Sequence, residues 1–242
     1  MRISPRRGAT LQSEVADALG EAVCSKQLPP GTVLSAETVC SDYGVSRTVA
    51  REALRELQTL GMVAARQQIG TTVLPEERWN LFSPRVIAWR SRCDYSRQTA
   101  EVLQMRLGLE PVAAGLAAAA ISSEQERALT EAWQQLRDAA REGDVSGFVA
   151  ADIAFHRCVY VSSGNALVAQ FAVIMDAVFS AWQSSGPPVL GEHTAASVRR
   201  HGRLLRAITT GDVRAAERAA RALVSATIAE PYASAPQATA AG

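Results

Sequence analysis

The chain has 242 residues, with 25 Lys+Arg against 24 Asp+Glu, 3 His and a formal net charge of +1. Apolar residues make up 48% and charged residues 20%, which excludes a wholly disordered chain and suits one or two domains with sizeable cores. No apolar run approaches the ~20 residues of a membrane span. The basic N-terminus lacks the apolar stretch and small-residue cleavage site of a signal peptide, so no membrane partner is expected. Cys24, Cys40, Cys93 and Cys158 are scattered without CxxC spacing and read as reduced thiols of a cytoplasmic protein.

Along the chain, residues 1–75 read as a compact first domain. A helix is expected at about 11–26, ending at the turn Leu28 to Gly31, then two short helices at about 36–42 and 46–60. Gly44 suits the left-handed residue of a tight turn between crossing helices, and Ser46 is a good N-cap for the next one. The segment GMVAARQQIGTTVL then supplies two β-prone stretches around Gly70, a hairpin signal. Three helices and a hairpin is the order of a winged helix-turn-helix. On the third helix Val49, Ala50, Ala53, Leu54, Leu57 and Leu60 form an apolar face, while Arg47, Arg51 and Arg55 recur at i, i+4 and i+8 on another. Like charges at that spacing repel, so the arginines are either a solvated face or a row that meets an anion, favoured near the helix N-terminus by the dipole.

Residues 76–95, with Pro75 just before them and Trp79, Pro84 and Trp89 within, are expected to be a linker that packs. From 96 to 230 the chain is Ala-rich with helical spacing throughout, predicting helices at 97–120, 123–142, 145–162, 165–184, 193–210 and 212–229. The fold class is therefore mainly α: a winged helix-turn-helix followed by an all-α bundle of six or seven helices. Residues 231–242 lack a core pattern and are expected to be a disordered tail.

The bundle carries polar residues where a plain core needs none. In GFVAADIAFHRCVY, Asp152 and His156 lie one turn apart within the stripe of Phe148, Phe155 and Val159. An inward carboxylate there is costly unless paired, so the two are either ligands of a divalent metal or a buried Asp–His hydrogen bond. His201 lies between Val198, Leu205 and Ile208, as a third ligand or a satisfied core histidine. Arg106 and Glu110 share the face of Val102, Leu103, Ala113 and Ala117, and an inward Arg suits a carboxylate.

Two resemblances sharpen these patterns. GVSRTVAREALRELQTLGMV followed by IGTTV resembles the DNA-binding domain of GntR-type regulators over about residues 12–74. The resemblance implies that Arg47, Thr48 and Arg51 contact operator DNA and that Gly70 forms the tip of the wing. One departure is Thr38 after Glu37, where the family often has Arg, which points to a different operator. Residues 97–227 resemble the FCD domain of the FadR-type branch. Its pattern is met by Arg106/Glu110, Asp152/His156, the turn Ser163-Gly164-Asn165, and His201 followed by Gly211-Asp212. It implies a divalent metal (Zn, Ni or Mn) on Asp152, His156 and His201, and an effector site at Arg106, Glu110 and Asn165. Many members have a further metal-binding His where this chain has Leu223, which leaves three protein ligands. The segment RWNLFSPRVIAW is similar to the branch that includes galactonate-operon repressors, which sense sugar acids; Trp182 would then line the pocket or serve as ordinary packing. A homodimeric repressor of sugar-acid catabolism genes on a palindromic operator, released by a small carboxylate effector, is expected. The alternatives are a metal-dependent enzyme, for which no catalytic acid or base stands out, and a DNA-binding dimer with a metal-free helical module.

Overall fold

A computed structural model describes residues 10–66, 70–184, 191 and 193–229, with side chains up to 179 and from 191 onward. The chain divides into two compact units, Met1–Tyr95 and Ser96–Gly242.

The first unit opens with α1 (Leu11–Cys24), whose N-cap Thr10 accepts from the Ser13 amide. Strand β1 (Val33–Leu34) leads to α2 (Ala36–Tyr43), capped by Ser35 and closed by Gly44 in the left-handed conformation (φ 67°). Only there can the chain turn sharply enough to start α3 (Arg47–Thr59), N-capped by Ser46. Strands β2 (Val63–Arg66) and β3 (Gly70–Val73) pair antiparallel, Val63 opposite Val73 and Arg66 opposite Gly70, and β1 adds to β3 in the order β1-β3-β2. This is the expected winged helix-turn-helix, with a two-residue strand that its length hid in the sequence. Val15, Leu19, Val39, Ala50, Ala53, Leu57 and Met62 form its core.

Residues 76–95 close this unit rather than leave it. A 3-10 turn (Glu76–Arg78) precedes α4 (Pro84–Cys93), which packs on α1. The Trp89 indole is wholly buried against Gly20, where a Cβ would stand 2.5 Å from ring carbons. Its Nε1–H donates to Asp17 at 2.8 Å. Arg85 pairs with Asp17 at 2.7 Å, pairs with Glu56 of α3 and donates to the Ser13 carbonyl at 3.0 Å, tying α1, α3 and α4 together.

The second unit is helical throughout its described residues: α5 (Tyr95–Ala120), α6 (Ser123–Glu142), α7 (Val145–Ser162), α8 (Ala166–Ser184), α9 (Thr194–Thr209) and α10 (Val213–Ala229). The expected helices match these within a few residues. Polar punctuation sets the ends: a Ser122/Gln125 capping box starts α6, Gly143 ends it, and Asp144 caps α7 by accepting from the Gly147 amide. Packing of α7 against α6 and α8, and of α9 against α6 and α10, puts Phe148, Phe155, Leu204, Ile208 and Leu223 inside. The four cysteines are free thiols. Burial, reinforced by the nearby Cys93, pushes the Cys24 thiol up to about 12.

Candidate metal centre and nucleic-acid interface

Two carboxylates, two imidazoles and a guanidinium enter the core of the helical unit: Arg106 and Glu110 from α5, Asp152 and His156 from α7, and His201 from α9. The i, i+4 spacings that carried the sequence argument put each pair on one inward face. Arg106 Nε donates to Glu110 Oε1 at 2.5 Å. His156 Nδ1 lies 3.2 Å from Glu110 Oε2, so a carboxylate receives its Nδ1–H and leaves Nε2 as a lone pair. His201 Nδ1 lies 2.9 Å from the Ser197 carbonyl, which likewise leaves His201 Nε2 as a lone pair. Both imidazoles are thus turned with Nε2 toward Asp152, whose Oδ1 is 3.1 Å from His201 Nε2 and 3.9 Å from His156 Nε2; the two Nε2 atoms are 3.4 Å apart.

Three acceptors therefore converge, and acceptors do not hold one another without a proton or a cation between them. Two donors about 2.1 Å from a tetrahedral ion stand about 3.4 Å apart; the spacings of 3.1 and 3.4 Å to His201 Nε2 are close to that, and the 3.9 Å between His156 and Asp152 is about half an ångström wider. Glu110 and the Ser197 carbonyl already supply the outer-shell contacts that orient histidine ligands. The third histidine, His193, is exposed at the N-cap of α9 and is not part of this group.

Arg106 Nη2 lies 2.9 Å from Nε2 and 3.3 Å from Nδ1 of His156, which sets the guanidinium over the imidazole face and leaves the in-plane lone pair of Nε2 open. Its Cζ is 6.0 Å from the Phe179 ring. Tyr160 was not singled out in the sequence, although it continues the helical series Asp152, His156, Tyr160. Its hydroxyl donates to Glu110 Oε1 at 2.7 Å.

Burial alone would raise the carboxyl of Glu110, but Arg106 and His156 outweigh it and hold the group ionised, well below the usual carboxylate range. For Asp152 burial acts in the same upward sense, and contact with His201 together with the charges of His156 and Arg106 holds it down to about 2. Burial and the Glu110 charge push the Tyr160 hydroxyl well above its ordinary value, so it stays a neutral donor. Arg106 keeps its proton against burial because Glu110, Tyr160 and Asp152 surround it.

Asn165 is exposed. Its Oδ1 accepts from the amides of Leu167 (3.0 Å) and Val168 (3.4 Å), which makes it the cap of α8. The Trp182 side chain lies outside the described residues.

In the first unit, Arg47, Thr48 and Arg51 are exposed on the first turns of α3. Arg47 has only a loose contact with Glu37 (4.0 Å), and Arg51 has no ion-pair partner among the described residues. Arg55 pairs with Glu52 at 3.6 Å. Thr38 is engaged at the start of α2, where its hydroxyl meets Ser35 Oγ at 2.8 Å. Gly70 (φ +109°) opens β3, and a Cβ there would press on Val33 and the Leu34 carbonyl of β1 at 3.2 and 3.3 Å. Gly70 pairs with Arg66 in the β2–β3 ladder, and residues 67–69 between the strands lie outside the described residues.

Residues 101–226 match the FCD domain, and residues 11–73 match the bacterial regulatory proteins of the gntR family. The chain belongs to the FCD-domain gntR regulators. Members are DNA-binding, ligand-responsive transcriptional regulators that typically dimerise, and they are not enzymes. The chain is 29% identical over 212 residues to an uncharacterized HTH-type transcriptional regulator of Escherichia coli (87% of this chain, 90% of that one). It is 28% identical over 217 residues to the galactonate operon transcriptional repressor of the same organism (86% and 90%). Among solved structures, a Streptococcus agalactiae GntR protein superposes with TM-score 0.51 at 24% identity, covering 90% of this chain and 98% of that one. The Listeria monocytogenes regulator Lar gives 0.57 at 17%, covering 91% and 96%. At those identities the two structures speak for the fold. No described helix is long and apolar enough to cross a membrane.

Proposed function

We propose that this regulator is a cytoplasmic homodimeric repressor of sugar-acid utilisation genes. In this scheme a small carboxylate binds beside a divalent metal in the helical unit and releases the protein from a palindromic operator. The convergence of three buried acceptors, Asp152 Oδ1, His156 Nε2 and His201 Nε2, beside the Arg106 guanidinium carries the proposal. The donor set suits Zn, Ni or Mn. When bound, the ion supplies Lewis acidity and positive charge to a carboxylate. Arg106 gives that carboxylate hydrogen-bond donors, Glu110 fixes the guanidinium, and Tyr160 fixes Glu110.

Arg47, Thr48 and Arg51 read the major groove and its phosphates, with the wing around Gly70 alongside. Residues 1–75 hold 8 basic and 7 acidic residues, so DNA recognition rests on a few placed arginines rather than bulk charge. An exposed apolar stripe on α5, Met105, Val112 and Leu116, suits burial between two copies. Effector binding then favours one arrangement of the paired DNA-binding units over another. The galactonate repressor among the relatives points to sugar acids as the effector class.

Leu223, buried where a further histidine is common in the family, favours a second possibility: a metal-free helical module. Thermal denaturation of the chain with a panel of aldonic and uronic acids, with and without chelator, separates the two. The proposal expects stabilisation by an acid that chelator abolishes; stabilisation indifferent to chelator supports the metal-free module.

A further inference from the structure

The buried charges of the helical unit can be counted completely, because every charged or ionisable side chain buried among its described residues belongs to this one cluster. Arg106 contributes one positive charge, Glu110 and Asp152 one negative charge each, and Tyr160 none. With neutral imidazoles, the form in which both histidines can ligate, the count is −1. A divalent ion on Asp152, His156 and His201 brings it to +1.

The cluster offers three donors, Asp152, His156 and His201, so a four-coordinate ion held by them keeps one coordination position for an outside ligand. Arg106 lies over His156 with Nη2 within 3.3 Å of both ring nitrogens, so the residual positive charge has a donor group beside the cluster. A buried site tolerates an uncompensated charge poorly.

We infer that this site selects a singly charged carboxylate over a dianion. The inference rests on the metal-and-carboxylate proposal above and adds the charge of the ligand: one carboxylate brings the loaded cluster to zero, whereas a dicarboxylate brings it to −1. Glu110 sets this preference, since it is the one negative group of the cluster outside the candidate metal ligands. Neutralising it moves the balance point from a monoanion to a dianion.

The test uses pairs with one carbon skeleton and different charge: galactonate against galactarate, and gluconate against glucarate. Calorimetric titration of the full zinc-loaded chain, freed of excess metal, is expected to show the monoacid of at least one pair binding about tenfold tighter or more than its diacid. The chelated chain is expected to bind both members at least about tenfold more weakly. In Glu110→Gln the ratio shifts toward the diacid by about tenfold or more. Because this variant disturbs Arg106, zinc stoichiometry and a melting curve are taken alongside, and the ratio is read only if both match the wild-type chain. A diacid bound as tightly as the monoacid, with both requiring zinc, overturns the charge inference and leaves the metal-and-carboxylate proposal standing. Failure of all four acids on the zinc-loaded chain overturns both.

Discussion

Asp152 Oδ1 and His201 Nε2 meet at 3.1 Å across α7 and α9, while the other ring nitrogen of His201 is committed to the Ser197 carbonyl. The contact therefore needs a proton or a cation, and a metal answers it for both histidines at once. Elemental analysis of the purified chain is expected to give about one divalent ion per protomer. Asp152→Ala and His201→Ala are each expected to lose it while keeping their helical content. Retention of the ion in both variants would place it elsewhere.

The same cluster sets an acid limit. Asp152 is held to about 2 against an ordinary 3.8, and Glu110 is lowered in the same sense. A carboxylate with a depressed folded-state pKa stabilises the fold at pH above its unfolded value and loses that contribution as pH falls through the folded one. In chelator, melting temperature should drop between about pH 4 and 2, with Asp152 contributing about 2 kcal/mol. Asp152→Asn should flatten part of that drop; an unchanged profile would contradict the assignment.

Tyr160 supports the site through Glu110. Removing its hydroxyl leaves one oxygen of a buried carboxylate short of a donor, a loss of about 2 kcal/mol for a hydrogen bond to a charged group. Tyr160→Phe is expected to fold, to melt lower and to keep its metal. Calorimetry showing no loss would mean that Arg106 and His156 satisfy Glu110 alone.

Helix α4 shows what the sequence could not yield. Segment 76–95 has Pro75 just before it, Pro84 within it and a ten-residue helix too short to stand alone, so its order comes from Trp89 against Gly20 and from Arg85 bridging Asp17 and Glu56, contacts about 70 and 29 residues apart in sequence. Gly20→Ala should cost about 1–3 kcal/mol through overpacking against a rigid indole. A fully stable variant would mean that α4 gives way there. By contrast, the helices of the bundle and the inward placement of Asp152, His156, His201, Arg106 and Glu110 were legible, because period and polarity conflict at those positions. Asn165, expected at the effector site, caps α8, a role that a Ser-Gly-Asn turn signals equally well. Tyr160 escaped notice because an aromatic on an apolar helix face looks like core until its hydroxyl is seen to meet Glu110.

On α3, Arg51 is exposed and has no ion-pair partner among the described residues, so Arg51→Ala should leave folding intact. For one lost phosphate contact, the salt slope of DNA binding should fall by about 0.9. An unchanged affinity and slope would remove Arg51 from the interface.

The central claim is that a carboxylate in the helical unit controls DNA binding through the Asp152–His156–His201 centre. The most direct measurement is the affinity of the full chain for DNA from upstream of its own gene, read by fluorescence anisotropy, with zinc or chelator and with or without the sugar acid that stabilises the protein best. The account predicts tight binding that the acid weakens about tenfold or more in zinc and leaves unchanged in chelator. An acid effect of equal size in both conditions, or none in either, would contradict it.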